Sequence, residues 1–524
     1  MSVVTDALEA ATTPRPPGSS GAPARFAVEL RDDQHADDVS ATVRDTCAEL
    51  AVTVSVLDAP VLVVEMPGRT FDGVSPAAAF SAAYVLADAV GAPAAEPDLP
   101  TAFFPEVDPA EPVQESLGGV PGCNVATEPE LAADWALDTI RAREAWALSE
   151  SLGRPAAGAG IVIAQPDTGV FPHPELEGVD RAGGFDTLDD DSDPTDPLDG
   201  FNPGHGTGTA SVVVSPKSLT VIGSAPAARH MPIRAIESVI RVTQVSVAKA
   251  IDWAVRNDAH VITMSLGGIP SFSLHAALRR AVADNVIVLA AAGNCVRQVV
   301  WPARYGECIA VAGVNARDGQ WPGSCRGSAV DISAPAQNVW RAARSGGAEQ
   351  GQGTSFAVAM TAGVAAMWLA HHGRDALIAE AQARGETLQG MFMRLAKATA
   401  RRPQGWNSGE MGAGIVDAAA LLGADLGLGA GLETVTLAQG VAPAPAAGSV
   451  ASLIAETVGA GAADSVDLHR FGPEIATAIL SRALAAEDGL ESPPPVRVSA
   501  ELAAAVPDPE LSRWLGIDRH TVPG

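Results

Sequence analysis

The sequence predicts an α/β fold: a large three-layer domain on a largely parallel sheet, preceded by a small α+β unit and followed by a helical, low-complexity C-terminal extension. Three observations carry this expectation. Between residues 131 and 424, short apolar strands alternate with amphipathic helices, the order that yields parallel strands covered by helices on both faces. A chain of 524 residues exceeds one ordinary domain. Stretches rich in Pro, Gly and Ala divide it at residues 96–130 and 425–450.

Residues 1–24 are expected to be a disordered lead-in, because Thr12 to Pro23 is dominated by Pro, Gly, Ser and Ala. In residues 25–95, RFAVEL places Phe26, Val28 and Leu30 on one face of a strand, and Val39, Val43 and Leu50 follow at helical spacing. VTVSV and VLVVEM read as paired strands joined through Asp58-Ala59-Pro60, and a second helix is expected from Pro76 to Val90. The pattern is β-α-β-β-α, without a clear last strand. Residues 96–130 read as a linker and candidate processing region.

From residue 131 the alternation begins. GIVIAQPD is a buried strand ending at Asp167, HMPIRAI is the next, and Val247, Ile251 and Val255 recur every four residues on a helix. HVITMSL, SLHAALRRAVADN, VIVLAAAGN and CIAVAGV continue the order, and GAGIVDAAALL reads as the closing helix. Function in such sheets gathers at the carboxyl ends of the strands, where Asp167 and Asn294 lie. Residues 451–524 carry short helical patterns broken by Gly and Pro, and a docking or packing extension without chemistry is expected.

The charge balance of 62 acidic against 34 basic side chains argues against nucleic acid or an anionic membrane surface as partner. No stretch reaches the roughly 18 uninterrupted apolar residues of a membrane span, and the first 24 residues lack a secretory pattern. The five scattered cysteines give no disulfide framework and no C-x-x-C pair. A reducing, cytoplasmic setting is therefore expected. Export by another route stays open, and with it a Cys295–Cys308 bridge.

The stretch GQGTSFAVAMTAGVAAMWLAHH places Ser355 between a glycine-rich turn and a helix apolar on nearly every side. A serine there meets unpaired backbone N–H groups and the positive end of the helix dipole, which favour a developing oxyanion. Taken alone, Ser355 reads more readily as a helix cap than as a nucleophile. The chain also supplies the partners a nucleophilic serine needs. Asp167 follows a buried strand, His205 sits between two glycines in NPGHGTGTA, and Asn294 ends a strand with an amide able to donate to an oxyanion.

PDTGV, GHGT, SLGG, AAAGN and GTSFA, in that order, resemble the subtilase family of serine endopeptidases. The likeness runs from Leu131 to Leu422 and includes WALDTIRAREAW, SVAKAIDWAVRNDAHVITMSLGG, WPARYGECIAVAGV, VDISAPA and GAGIVDAAALL. It implies a subtilisin-like domain in which Asp167 orients the histidine, His205 is general base and acid, Ser355 the nucleophile and Asn294 the oxyanion donor. It further implies a substrate pocket lined by Ser265, Leu266, Gly267 and Gly268 with Ala291, Ala292 and Gly293, small or apolar residues that fit an apolar or permissive specificity. No cofactor is expected in the chemistry.

The chain departs from the family at Ala359 and Met360, where a proline followed by histidine is usual, and at Gly208 and Thr209, where histidine and valine are common. Neither change removes a catalytic group. The run FDTLDDDSDPTDPLDG, with Asp186, Asp189, Asp190, Asp191, Asp193, Asp196 and Asp199, could hold structural calcium, but a solvated acidic loop is the leading explanation. The N-terminal unit stands where subtilases carry a propeptide and is similar to such a prodomain, an intramolecular inhibitor; a permanent accessory domain is the alternative. The resemblance thus implies a serine endopeptidase acting on protein or peptide substrates, and the missing secretory pattern favours a specific intracellular cleavage. A ligase or macrocyclase using the same acyl-enzyme and a noncatalytic binding module remain as alternatives.

Overall fold

A computed structural model describes residues 3–16, 22–57, 60–100, 131–199, 202–216, 219–239, 242–295, 297–429, 449–459, 461–487 and 497–517. Of the linker expected at 96–130, residues 101–130 lie outside these, as does most of that at 425–450, while Glu96 and Pro97 belong to a strand.

The N-terminal unit is a four-stranded antiparallel sheet with helices on one face. Its strands are β1 (Ala24–Glu29), β2 (Thr53–Leu57), β3 (Val61–Met66) and β4 (Ala95–Pro97), in the order β2-β3-β1-β4. Strand β4 is the one the sequence did not reveal, since three residues, one of them proline, give no period. The helices are α1 (Val3–Ala10), α2 (Ala36–Thr46) and α3 (Pro76–Val90). Ser75 caps α3 through Ala78 N–H, and Gly91 ends it in the left-handed conformation at φ 64°. Within residues 1–24, expected to be disordered, α1 instead buries Leu8 in the core, and Thr13–Pro14 pairs with Arg69–Thr70. The helical spacing of Val4 and Leu8 is the signal the Pro-rich residues after it obscured.

The large domain carries seven parallel strands: β5 (Val162–Asp167), β6 (Phe185–Asp186), β7 (Arg229–Arg234), β8 (Val261–Met264), β9 (Ile287–Ala291), β10 (Ile309–Val314) and β11 (Ile332–Pro335). Their order is β11-β10-β9-β8-β5-β7-β6. Every residue of β5, β8, β9 and β10 is buried, as sheets covered on both faces require. A hairpin of β12 (Val339–Ala342) and β13 (Ala348–Gly351) follows. One face packs on α4 (Ala142–Ser151), α5 (His205–Val214) and α8 (Thr354–His372), the other on α6 (Gln244–Arg256) and α7 (Phe272–Ala283). Among the described helices, α8 alone is long and apolar enough to cross a membrane, and it is buried inside the molecule. The closing helix α9 covers only Ala418–Leu422, because Gly412 turns and Ile415 bridges to Ser333 and Arg401 before it starts.

The C-terminal extension forms α10 (Val450–Thr457), α11 (Leu468–Glu487), α12 (Ala500–Ala505) and α13 (Pro509–Trp514). The sheet of the N-terminal unit lies on α6 and α7, where Ala27, Leu57, Val61 and Val63 join the core of the large domain. Two carboxylates anchor this contact at helix N-termini. Glu96 accepts from Ser271 Oγ at 2.6 Å and Phe272 N–H at 3.2 Å at the start of α7, and burial pushes its carboxyl up to about 7. Asp98 accepts from Val245 N–H at 3.1 Å at the start of α6 and pairs with Arg25 at 3.1 Å.

Cys308 is a buried free thiol, so the Cys295–Cys308 bridge is not formed. Cys295 is nonetheless disulfide-bonded, a pairing that cysteine spacing did not reveal.

Candidate active site

The sheet order sets the site. Strand β5 lies at its centre and ends at Asp167; α5 and α8 both cross its carboxyl end, the first starting at His205 and the second bringing Ser355 in its first turn. The three side chains form one hydrogen-bonded line. Asp167 Oδ1 lies 2.7 Å from His205 Nδ1, and His205 Nε2 lies 3.2 Å from Ser355 Oγ. Asp167 is 1% exposed and His205 5%, while Ser355, at 9%, is the member most open to a ligand.

Close backbone approach explains the glycine after His205. A Cβ at Gly206 would stand 2.1 Å from Gly169 O, so only glycine lets the loop after Asp167 pass over the start of α5. Asp196, within the acidic run, locks both loops. Its Oδ2 accepts from Thr168 Oγ1 at 2.7 Å and Gly204 N–H at 2.9 Å, joining the residues that flank Asp167 and His205. Burial raises the Asp196 carboxyl, and these same donors pull it back down. This one aspartate is thus no part of a solvated loop. Elsewhere in the run, Asp186 and Asp189 both pair with Arg234, and Asp186 and Asp191 accept from nearby backbone N–H groups. Among the described residues no group of three or more His, Cys, Asp or Glu side chains is placed to hold a metal ion.

Asp167 is supported from below by residues the motifs did not identify. His230 on β7 is fully buried, and burial lowers it to about 3, so it stays neutral. It makes a 2.8 Å hydrogen bond to Gln165 Oε1, which turns the Gln165 amide nitrogen toward Gly206 O at 2.9 Å and Thr209 Oγ1 at 2.6 Å. Thr209 Oγ1 in turn lies 3.2 Å from Asp167 Oδ2. Its neighbour Gly208 leaves room for Arg341, whose Cδ would meet a Cβ there at 2.9 Å.

Asn294 stands beside the serine. Its Oδ1 accepts from Thr354 N–H at 2.9 Å and Thr354 Oγ1 at 2.8 Å, which fixes the amide and leaves Nδ2 toward the space over Gly353. A Cβ built on Gly353 would come within 3.7 Å of that nitrogen and 3.8 Å of Ser355 Cβ. Ser265 follows β8 and donates from Oγ to Ser355 O at 3.1 Å. Gly267 and Gly293 both pack against Val300. Ala291 and Ala292 do not face one space: the first belongs to the core on the α8 side and the second, with Leu266, to the core on the α6 and α7 side. Successive strand residues point to opposite faces, so the expected pocket list cannot all line one wall.

A parallel sheet covered on both faces, with Asp, His and Ser hydrogen-bonded at its carboxyl end, is the architecture of a serine hydrolase. A family profile described as the Subtilase family matches residues 158–414. The chain is 35% identical over 242 residues to thermitase of Thermoactinomyces vulgaris, a match covering 45% of this chain and 82% of that protein. Subtilisin BL of Lederbergia lenta is 32% identical over 217 residues, 41% of this chain and 78% of that one. Among solved structures, fervidolysin from Fervidobacterium pennivorans shares the fold with a TM-score of 0.55 at 23% identity, covering 79% of this chain and 62% of that one. The chain belongs to the subtilase family of serine proteases, and is an endopeptidase acting on protein or peptide substrates.

Proposed function

We propose that Ser355 is the nucleophile, His205 the general base and acid, Asp167 the group that holds the imidazole, and Asn294 the oxyanion donor. The continuous line from Asp167 through His205 to Ser355 carries this reading. His205 Nε2 takes the Ser355 proton as Oγ attacks the carbonyl carbon of the scissile bond. Asn294 Nδ2 and the Ser355 N–H donate to the oxygen on which charge develops. The imidazolium then protonates the leaving amine, the C–N bond breaks, and the acyl-enzyme remains. Water attacks this ester, giving its proton to His205, which returns it to Ser355 as the acid product leaves. The rate falls on acidification as His205 takes up a proton.

The test is covalent labelling with a fluorophosphonate, with and without the N-terminal unit. Label on the native chain and none on Ser355→Ala is expected; equal labelling of both would sink the assignment. Product masses separate hydrolysis, which adds one water, from ligation, which does not.

The N-terminal unit acts, on this reading, as an intramolecular inhibitor. Support comes from the contacts of Glu96 and Asp98 with α7 and α6, since the chain after β4 leaves the unit on the large domain. Intact mass of active protein checks obligatory removal: a single full-length active species would exclude it. The disulfide at Cys295 counts against the expected reducing, cytoplasmic setting, and cell fractionation tests where the protein acts.

A further inference from the structure

The C-terminal extension, to which the sequence assigns no chemistry, has a place. Helices α11, α12 and α13 do not pack on the large domain alone. Phe471, Ile475, Ile479, Leu502 and Leu511 share one continuous apolar core with Leu8, Phe80 and Leu86 of the N-terminal unit. Helix α3 explains the need. It reads PAAAFSAAYVLADAV and buries Ala79, Phe80, Ala82, Ala83, Tyr84, Leu86, Ala87 and Val90, more than one face of it. A helix apolar on nearly all sides requires cover on nearly all sides, and the sheet of its own unit covers only one.

Polar contacts fix the register of this cover. Tyr84 Oη donates to Glu474 Oε2 at 3.0 Å inside the core, and Phe471 packs edge-on to the Tyr84 ring at 5.0 Å. Arg470 grips Asp88 through both terminal nitrogens at 2.7 and 2.9 Å. Ser81 Oγ donates to Glu501 Oε1 at 2.9 Å, and His469 pairs with Glu29 at 2.7 Å. The other end of the extension holds the large domain. Arg304, whose side chain is 1% exposed, donates to Glu456 at 2.7 Å and Ser452 at 3.2 Å, and Ser328 reaches Glu456 at 2.9 Å.

We propose that the C-terminal extension is a clasp that keeps the N-terminal unit on the large domain, so that cutting the chain between residues 100 and 131 does not release it. The clasp is tethered to the large domain by the chain, so it faces the severed unit at high effective concentration. Release then requires breaking the contact with α6 and α7 and the core shared with α11 to α13 together. This deepens the inhibitor reading but does not depend on it, because retention and inhibition are measured separately.

The test uses the Ser355→Ala chain with a recognition sequence for a site-specific protease placed between residues 100 and 131. After cutting, gel filtration follows whether the N-terminal fragment stays. Three chains are compared: full length, one ending at Gly429, and full length carrying Arg470→Ala and Glu474→Ala. The last keeps every residue of the N-terminal unit and guards against misfolding of the shortened chain. Expected is co-elution from full length, and fragment loss at least about tenfold faster from the other two. Equal loss rates from all three would overturn the clasp. Peptide hydrolysis by the cut chain with Ser355 present reads inhibition alone: a retained fragment with full activity upholds the clasp and removes the inhibitor reading.

Discussion

Beneath the catalytic line, Thr209 and Gln165 hold Asp167 through a chain that ends at the buried His230. Thr209→Val keeps the side-chain volume and removes the donor that faces Asp167 Oδ2. A hydrogen bond to a charged group of this kind is worth on the order of 1.5 kcal/mol, so kcat is expected to fall about tenfold with KM within about twofold. Thr209→Ser restores the hydroxyl and should recover kcat. If serine and valine variants lose rate equally, packing rather than the hydroxyl is responsible. His230 also gives a pH dependence with a definite sign. Its folded value of about 3 lies below its ordinary 6.5, so the unfolded chain takes up the proton first. Its contribution to stability is whole above pH 6.5 and is lost as pH falls toward 3, by roughly 2 kcal/mol between 6.5 and 5. Urea unfolding of the Ser355→Ala chain at those two pH values measures the loss, which His230→Gln should reduce. The meeting of Asp167, His205, Ser355 and Asn294 was legible in the sequence because each sits in a distinctive flanking pattern at a strand end or helix start. Gln165, His230 and Asp196 were not: a single polar residue inside an apolar run, or one aspartate among seven, gains meaning only once strands β5 and β7 pair and the loops fold back.

At the scale of elements, α8 carries Ser355, the proposed nucleophile, and has Ala359 where the family resemblance leads one to expect proline. In a regular helix Ala359 N–H reaches Ser355 O, and that carbonyl already has a second donor in Ser265 Oγ. Proline at this position should therefore cost less than the ~3 kcal/mol of an interior proline. Ala359→Pro is expected to lower stability by about 1 kcal/mol, and combination with Ser265→Ala to cost more than the two changes summed. Thermal melting of the four species closes the cycle; strict additivity would refute the shared carbonyl. The strands of the large sheet were legible because β9 and β10 are unbroken runs without a polar side chain, and β5 and β8 open on apolar residues before Gln165 and Thr263 interrupt them. The hairpin of β12 and β13 was not. Its residues VWRA and AEQG alternate too weakly to separate from loop, and it exists because Arg341 threads between Gly208 and the turn before Ser355.

Across the whole molecule, the segments that flank the large domain are partners of each other. Each reads in the sequence as a separate piece, a prodomain-like unit and a helical tail, because apolar periodicity marks which faces are buried but not against what. Tyr84 and Glu474 lie 390 residues apart, and no local pattern announces their hydrogen bond. That distance along the chain has a consequence for synthesis. The N-terminal unit leaves the ribosome first, yet the apolar side of α3 around Tyr84 stays open until residues 468–515 have been made. The N-terminal unit therefore stays unfinished while the large domain is being made, its last wall supplied only after that domain is already complete.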